Sequence, residues 1–227
     1  MIVTGSRVEL EEKAAAATAE TINTILARQP HAVLALCGGT SVEGIFGRLA
    51  GMTVDWKRLH LFMVDERLVP IDSEQANYRL VKQYFSAVVP CENLHPFIVD
   101  PGRPDKGAGG YAAELMRYGG VFDVVLVSSG EDGHIGALYP DHHSIDDLSG
   151  RFIIMNDSPK PPPGRMSSSA GLLRQARAGI MLFFGENKKN ALDRFLDGNS
   201  TIRQVPAKII ASLPKYFVFT DQEISEQ

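Results

Sequence analysis

At 227 residues the chain fits one large α/β domain or two small ones, and its 44% hydrophobic and 22% charged residues are the balance of an ordinary globular protein. A formal net charge of −4 and a pI near 5.9 argue against a nucleic-acid footprint or a polybasic membrane surface, so an anionic substrate needs a local cationic pocket. Only two cysteines occur, Cys37 and Cys91, without metal spacing, and Glu9, Glu11, Glu12 and Lys13 interrupt the N-terminus before a signal peptide or membrane span can form. A protein of the reducing cytoplasm is expected, with no membrane and no nucleic-acid partner.

Residues 8–28, rich in Ala, Glu and Leu, read as a first helix that Pro30 stops. Residues 32–37 (AVLALC) form a short apolar strand that leads at once into Gly38-Gly39-Thr40-Ser41 and a helical pattern over 42–49. A strand, a Gly-rich turn with hydroxyls and a helix N-terminus together make an anion site, because free N–H groups and the helix dipole face one point. A plain βα turn with Thr40 or Ser41 as N-cap is the alternative. Residues 59–64 are the next strand, running straight into Asp65-Glu66-Arg67. Three consecutive charges are costly to bury unless paired, so they are expected to line the open edge of the sheet.

After Pro70, residues 71–85 read as a helix capped by Asp72 or Ser73, residues 96–99 as a strand, and residues 105–118 as a helix. Residues 122–127 are a nearly unbroken apolar run, the pattern of a strand buried on both faces. That strand ends in Ser128-Ser129-Gly130-Glu131-Asp132-Gly133-His134, with a helical turn expected after His134. Residues 152–155 are a further strand. Residues 156–169 carry four prolines and form a stiff, extended loop. As a linker it would split the chain near residue 160, but the ~60 residues beyond it are too few for a core of their own. The loop is therefore read as wrapping back over the site with Lys160 and Arg165. A short helix over 172–177, a strand over 179–184, a helix over 186–198, a helical turn over 207–212 and a strand over 216–219 complete the chain. Strands alternating with helices imply one α/β domain over 1–227, with a doubly wound, mainly parallel, Rossmann-like sheet and helices on both faces.

Ligands of such sheets collect at the carboxyl ends of the strands. Gly38, Gly39, Thr40 and Ser41 bring an anion site there, Asp65 and Arg67 bring charge, and His134 brings a proton acceptor. Gly185-Glu186-Asn187-Lys188 adds a lysine in the first turn of a helix, where the dipole favours an acid unless a bound phosphate satisfies the charge. This convergence points to a phosphorylated small molecule. Asp141-His142-His143 suggests a metal, but adjacent histidines seldom point to one centre, so these are read as surface loop residues. Ser128 and Ser129 lack the G-x-S-x-G pattern of a nucleophile elbow.

Taken together, Gly130-Glu131-Asp132-Gly133-His134 with Tyr139-Pro140, Asp65-Glu66-Arg67 with Asn77, and Pro159-Lys160-Pro161-Pro162 with Arg165 resemble the 6-phosphogluconolactonase family. Gly38-Gly39-Thr40-Ser41 and Gly185-Glu186-Asn187-Lys188 match its other blocks, so the resemblance runs along nearly the whole chain. The proline-rich block is the most specific, since the related glucosamine-6-phosphate deaminases lack it. The resemblance implies a metal-free, cofactor-free cytosolic hydrolase of the oxidative pentose phosphate pathway; a monomer or weak homodimer is expected. It would convert 6-phospho-D-glucono-1,5-lactone to 6-phosphogluconate. His134 is then the base that activates water, a role suited to an imidazole, which titrates near ~6.5 when free. Asp132 either orients His134 or serves only as a turn residue. Lys188, Arg67 and the amides of Gly39, Thr40 and Ser41 are the first candidates for the phosphate and Arg165 and Lys160 the next, with Gly38, Asp65 and Asn77 completing the substrate site. Arg67 has an alternative role as an internal partner of Asp65 or Glu66. The chain departs from the family's usual hydroxyl residues after the histidine, with Ile135, Gly136 and Ala137 in their place. The other readings are a deaminase or isomerase of related fold, and a non-catalytic sugar-phosphate binder.

Overall fold

The computed structural model describes residues 1–100 and 102–224. From the N-terminus come β1 (Ile2–Thr4), α1 (Arg7–Leu26), β2 (Ala32–Leu36), α2 (Glu43–Ala50), β3 (Leu59–Met63) and β4 (Asp65–Arg67). Next are α3 (Tyr78–Phe85), α4 (Pro104–Met116), β5 (Val124–Ser128), β6 (Phe152–Met155) and β7 (Arg165–Ser168). Then follow α5 (Ala170–Leu173), β8 (Ala178–Phe183), α6 (Lys189–Leu196), α7 (Lys208–Ala211) and β9 (Lys215–Thr220).

The apolar runs become central strands because only a strand covered on both faces can bury every side chain in turn. All residues of β2, β3 and β8 are buried, as are the first four of β5. These strands belong to a six-stranded sheet of order β1-β9-β8-β5-β2-β3 in which every neighbouring pair is parallel. The chain builds outward from β2 to β3, then returns to place β5, β8 and β9 on the other flank. The direction of building therefore reverses between β2 and β5, and the crevice beyond their carboxyl ends is the topological switch point of the sheet. Helices and sheet share one contiguous buried apolar cluster, from Leu10 on α1 to Phe219 on β9. No described helix is long and apolar enough to cross a membrane.

Several expectations need correction. Residues 96–99 form no strand; the only pairing nearby is an isolated bridge between Leu61 and Leu94. The third helix starts at Tyr78 rather than near Asp72, because the group that satisfies its first amides is the distant Glu66 carboxylate. No helical turn follows His134 directly; the first is the 3-10 turn His143–Asp146, nine residues on. Gly133 and Gly136 take φ of 90° and 56°, and Ile135 bridges Leu138 as a tight β-turn. The proline-rich segment is not loop throughout, since its end is the strand β7. Asp65-Glu66-Arg67, expected as charges lining the open edge of the sheet, forms a strand of its own, β4, which pairs antiparallel with β7 in a small sheet of order β4-β7-β6. This second sheet stands beside the switch point, held to the main one where Val64 N–H donates to Leu36 and Ser168 N–H donates to Val64.

Candidate active site

The first wall of the crevice is the turn that follows β2. Cys37 N–H still reaches Leu126 across the sheet, and the chain then leaves it through Gly39, whose φ of 98° suits glycine. Among the described residues, no protein acceptor takes the N–H groups of Gly38, Gly39, Thr40 or Ser41. Four unspent amides ahead of α2 are the makings of an anion nest. Asn77 packs directly on Gly38, where a Cβ would stand 2.0 Å from its Oδ1. The Cys37 thiol is pushed up to about 12, chiefly by burial, so it stays protonated beside the turn and is no nucleophile.

The second wall is the loop after β5. Gly130 N–H donates to His134 O at 2.8 Å and Gly133 N–H to Gly130 O at 3.1 Å, closing the loop on itself. Asp132 Oδ1 accepts from both the His134 amide, at 3.1 Å, and His134 Nδ1, at 2.5 Å. In the neutral imidazole that bond puts the proton on Nδ1 and leaves the Nε2 lone pair free. Burial works to raise the Asp132 carboxyl, but the hydrogen bonds and charge of His134 outweigh it and hold the group at about 2. The carbonyl of Asp132 is braced in turn by Arg194 Nη1 on α6, at 3.2 Å.

The third wall is one face of the small sheet. Alternation on β4 sends Asp65 and Arg67 to the same side, and the register sets Arg67 directly opposite Arg165 on β7. Arg165 is 4% exposed, donates from Nη2 to Pro161 O at 3.0 Å, and finds no partner for Nε among the described residues. Arg67 donates from Nη1 to Gln75 O at 2.6 Å, and its Nε is likewise unpartnered. Among the described residues it forms no ion pair with Asp65 or Glu66, so the internal-partner role is not the one observed. Burial raises the pKa of the Asp65 carboxyl, with the charges of Arg165, Arg67 and His134 opposing the rise. Glu66 points the other way and accepts from the amides of Arg67 and Asn77, both at 2.7 Å, and of Tyr78 at 2.8 Å. Burial pushes it up to about 7 against these donors. It thereby anchors Asn77, whose Nδ2 donates to the carbonyl of Asp65 at 3.0 Å.

Lys188 closes the crevice from the 3-10 turn Glu186–Lys188, with Nζ donating to Ser129 O and its pKa lowered by burial. Lys160 reaches the rim from the proline-rich loop, which Ser158 Oγ ties to Tyr139 by donating to its hydroxyl at 2.8 Å. These walls enclose about 350 Å³. Gly38, Gly39, Thr40, Ser41, Asp65, Arg67, Asn77, His134, Lys160, Arg165 and Lys188 all line it, whereas Asp132 touches it only through His134.

Sequence reasoning missed Glu131, Gly136 and Tyr139 as lining residues, and did not place Ser128 or Ser129 in the substrate site. Ser128 Oγ is buried there with no partner among the described residues. The side chains of Ile135 and Ala137 are fully buried and off the cavity wall, so hydroxyls at those two positions would not face the cavity. The expectation that His142 and His143 point apart needs correction. The Nε2 atoms lie 3.6 and 2.9 Å from the same Asp157 oxygen. His142 Nδ1 accepts from Ser144 N–H at 3.2 Å, which keeps the proton on Nε2 and makes that nitrogen a donor rather than a metal ligand.

The family model described as glucosamine-6-phosphate isomerases/6-phosphogluconolactonase matches residues 5–217. A 6-phosphogluconolactonase of Borreliella burgdorferi is 32% identical over 201 residues, which cover 86% of this chain and 85% of that one. The structure of 6-phosphogluconolactonase from Trypanosoma brucei superposes with a TM-score of 0.83 at 25% identity, covering 97% of this chain and 95% of its own. A monomeric glucosamine-6-phosphate deaminase shares the fold, with a TM-score of 0.81 at 19% identity over 98% of this chain and 97% of its own. The chain belongs to the glucosamine-6-phosphate isomerase/6-phosphogluconolactonase family.

Proposed function

We propose that the protein hydrolyses 6-phospho-D-glucono-1,5-lactone to 6-phosphogluconate, with His134 as the base. The observation that carries this reading is the Asp132–His134 pair, which leaves Nε2 free in a cavity shared with Lys188, Arg67 and Arg165. In this reading the phosphate sits between Lys188 and the unspent amides of the 38–41 turn. Arg67 and Arg165 add charge on the small-sheet wall, and Lys160 adds it at the rim. Asp65 and Asn77 meet the sugar hydroxyls. His134 Nε2 takes a proton from water as its oxygen attacks the lactone carbonyl carbon, while Asp132 stabilises the imidazolium that forms. The tetrahedral intermediate collapses by breaking the bond to the ring oxygen, which receives that proton from His134 and leaves as the hydroxyl of the open acid. Water is consumed, and no redox or group donor is needed.

A coupled assay of lactone hydrolysis, with kcat/KM followed against pH, tests the reading. A rate above spontaneous hydrolysis whose acid limb disappears in His134→Ala is the expected result. Ammonia release from glucosamine 6-phosphate would assign the deaminase activity instead. Binding of 6-phosphogluconate without turnover would make the protein a sugar-phosphate binder.

A further inference from the structure

The two halves of the proposed anion grip, the 38–41 turn and the segment carrying Lys188, lie on different strands, and one side chain outside the cavity touches both. Arg7, in the first turn of α1, donates from Nη2 to Ser41 O at 3.1 Å and to Thr40 O at 3.4 Å. Its guanidinium carbon also sits 4.2 Å above the ring centroid of Phe184. Phe184 is buried immediately beyond the last residue of β8 and precedes the Gly185 turn that launches Lys188.

Arg7 is itself held in place. Its Nε donates to Glu11 Oε1 at 2.6 Å, and Arg48 on α2 binds the other oxygen of Glu11 at 2.7 Å. Gly44 is what lets Glu11 come so near α2, because a Cβ there would stand 2.1 Å from Glu11 Oε2. A planar guanidinium reaches two carbonyls, a carboxylate and an aromatic face at once, which a lysine ammonium cannot do.

The consequence for the turn follows from peptide geometry. In a trans peptide the carbonyl and the next N–H point in opposite directions. When Arg7 draws the Thr40 carbonyl outward, the Ser41 N–H is turned away from Arg7. That N–H is among the amides with no protein acceptor, in a turn that lines the cavity. We propose that Arg7 is a positioning residue for the phosphate subsite, fixing the 38–41 amides against the Lys188 segment without touching substrate. This rests on the anion reading given above.

The test compares wild type, Arg7→Met and Arg7→Lys for lactonase KM and kcat, for the affinity of inorganic phosphate measured by calorimetry, and for Tm. Arg7→Met is expected to raise KM and weaken phosphate binding by about tenfold each, with kcat within about twofold. Arg7→Lys is expected to recover part of the loss, since it restores one donor but not the fork. Should Arg7→Met fail to fold, Phe184→Leu, which removes the π face and keeps apolar bulk, is expected to weaken phosphate binding in the same direction. A folded Arg7→Met protein with wild-type phosphate affinity overturns the inference, as does a loss confined to kcat. If Arg7→Met is unfolded, unchanged phosphate binding in Phe184→Leu overturns it too. A wild-type protein that binds phosphate but hydrolyses no lactone would sink the proposed activity and leave the Arg7 comparison intact.

Discussion

The imidazole of His134 rests on the bare Cα of Gly130, where an added methyl group would stand 2.0 Å from Nδ1 and from Cε1. The loop cannot simply slide to make room, because its ends are tied by the Gly130 N–H to His134 O bond. Gly130→Ala therefore swings the ring out of line with Asp132 while leaving the cationic walls alone. The expected result is a roughly hundredfold fall in kcat with KM little changed, the scale of effect of a misplacement near 1 Å. Steady-state kinetics beside a Tm measurement check it, and a wild-type kcat would show that the ring's seat is immaterial.

Asp132→Asn examines the same pair from the other side. An asparagine can offer its amide N–H to Nδ1, which moves the imidazole proton to Nε2 and removes the base. A loss of about 10²–10⁴ in kcat is expected at neutral pH, with binding of 6-phosphogluconate retained. The stability linkage has a defined window. The Asp132 carboxyl is held at about 2 in the fold against 3.8 outside it, so its contribution is complete above 3.8 and is lost as pH falls through about 2. Melting curves of wild type and Asp132→Asn are thus expected to converge below about pH 2 through this group alone.

What the sequence disclosed, and what it concealed, follows the range of the interactions. The strands β2, β5 and β8 were legible because burial on both faces demands unbroken apolar runs. The 38–41 and 130–134 turns were legible because glycine, hydroxyl and acid requirements act within a few residues. The strand β7 was hidden: Arg-Met-Ser-Ser after a run of prolines has no strand pattern, and it becomes one by pairing with β4 and β6. The start of α3 was hidden for the same reason, since its amides at 77 and 78 are satisfied by Glu66, 11 and 12 residues upstream. Arg7 was hidden as well, because the carbonyls it binds lie 33 and 34 residues downstream.

Arg67 and Arg165 face each other across an antiparallel pair, with the Nε of each buried and without a partner among the described residues. Like charges directly opposite on paired strands are destabilising by up to ~1 kcal/mol, and a bound anion removes that cost. The product 6-phosphogluconate is accordingly expected to raise the wild-type Tm, adding about 2.7 kcal/mol when present at a hundred times its Kd. Arg165→Met is expected to weaken product binding by about tenfold, so the same product concentration adds only about 1.4 kcal/mol. Thermal-shift titrations distinguish the two, and equal shifts would remove Arg165 from the anion site.

A separate histidine cluster beneath the edge strand β3 predicts acid sensitivity unrelated to catalysis. His60 Nδ1 lies 3.0 Å from His95 Nε2, and His95 Nδ1 lies 2.6 Å from Glu114 Oε1. The ring of Tyr118 covers His60 at a centroid distance of 3.8 Å, and His31 meets it edge-on at 5.9 Å. Burial first, then the charges of His95, His31 and Arg117, push His60 down to about 4 from the ordinary 6.5. Burial lowers the pKa of His95 as well, with Glu114 working against it. Between 6.5 and about 4 the unfolded chain binds a proton at His60 that the fold refuses. Stability from this group is therefore full above 6.5 and falls as pH drops toward about 4, a change of about 3 kcal/mol at most. His60→Gln keeps a hydrogen-bonding group beside His95 but has no proton to gain. Its Tm is expected to fall less steeply than the wild type's between pH 7 and pH 4. Parallel slopes in the two proteins would place the acid-sensitive group elsewhere in the chain.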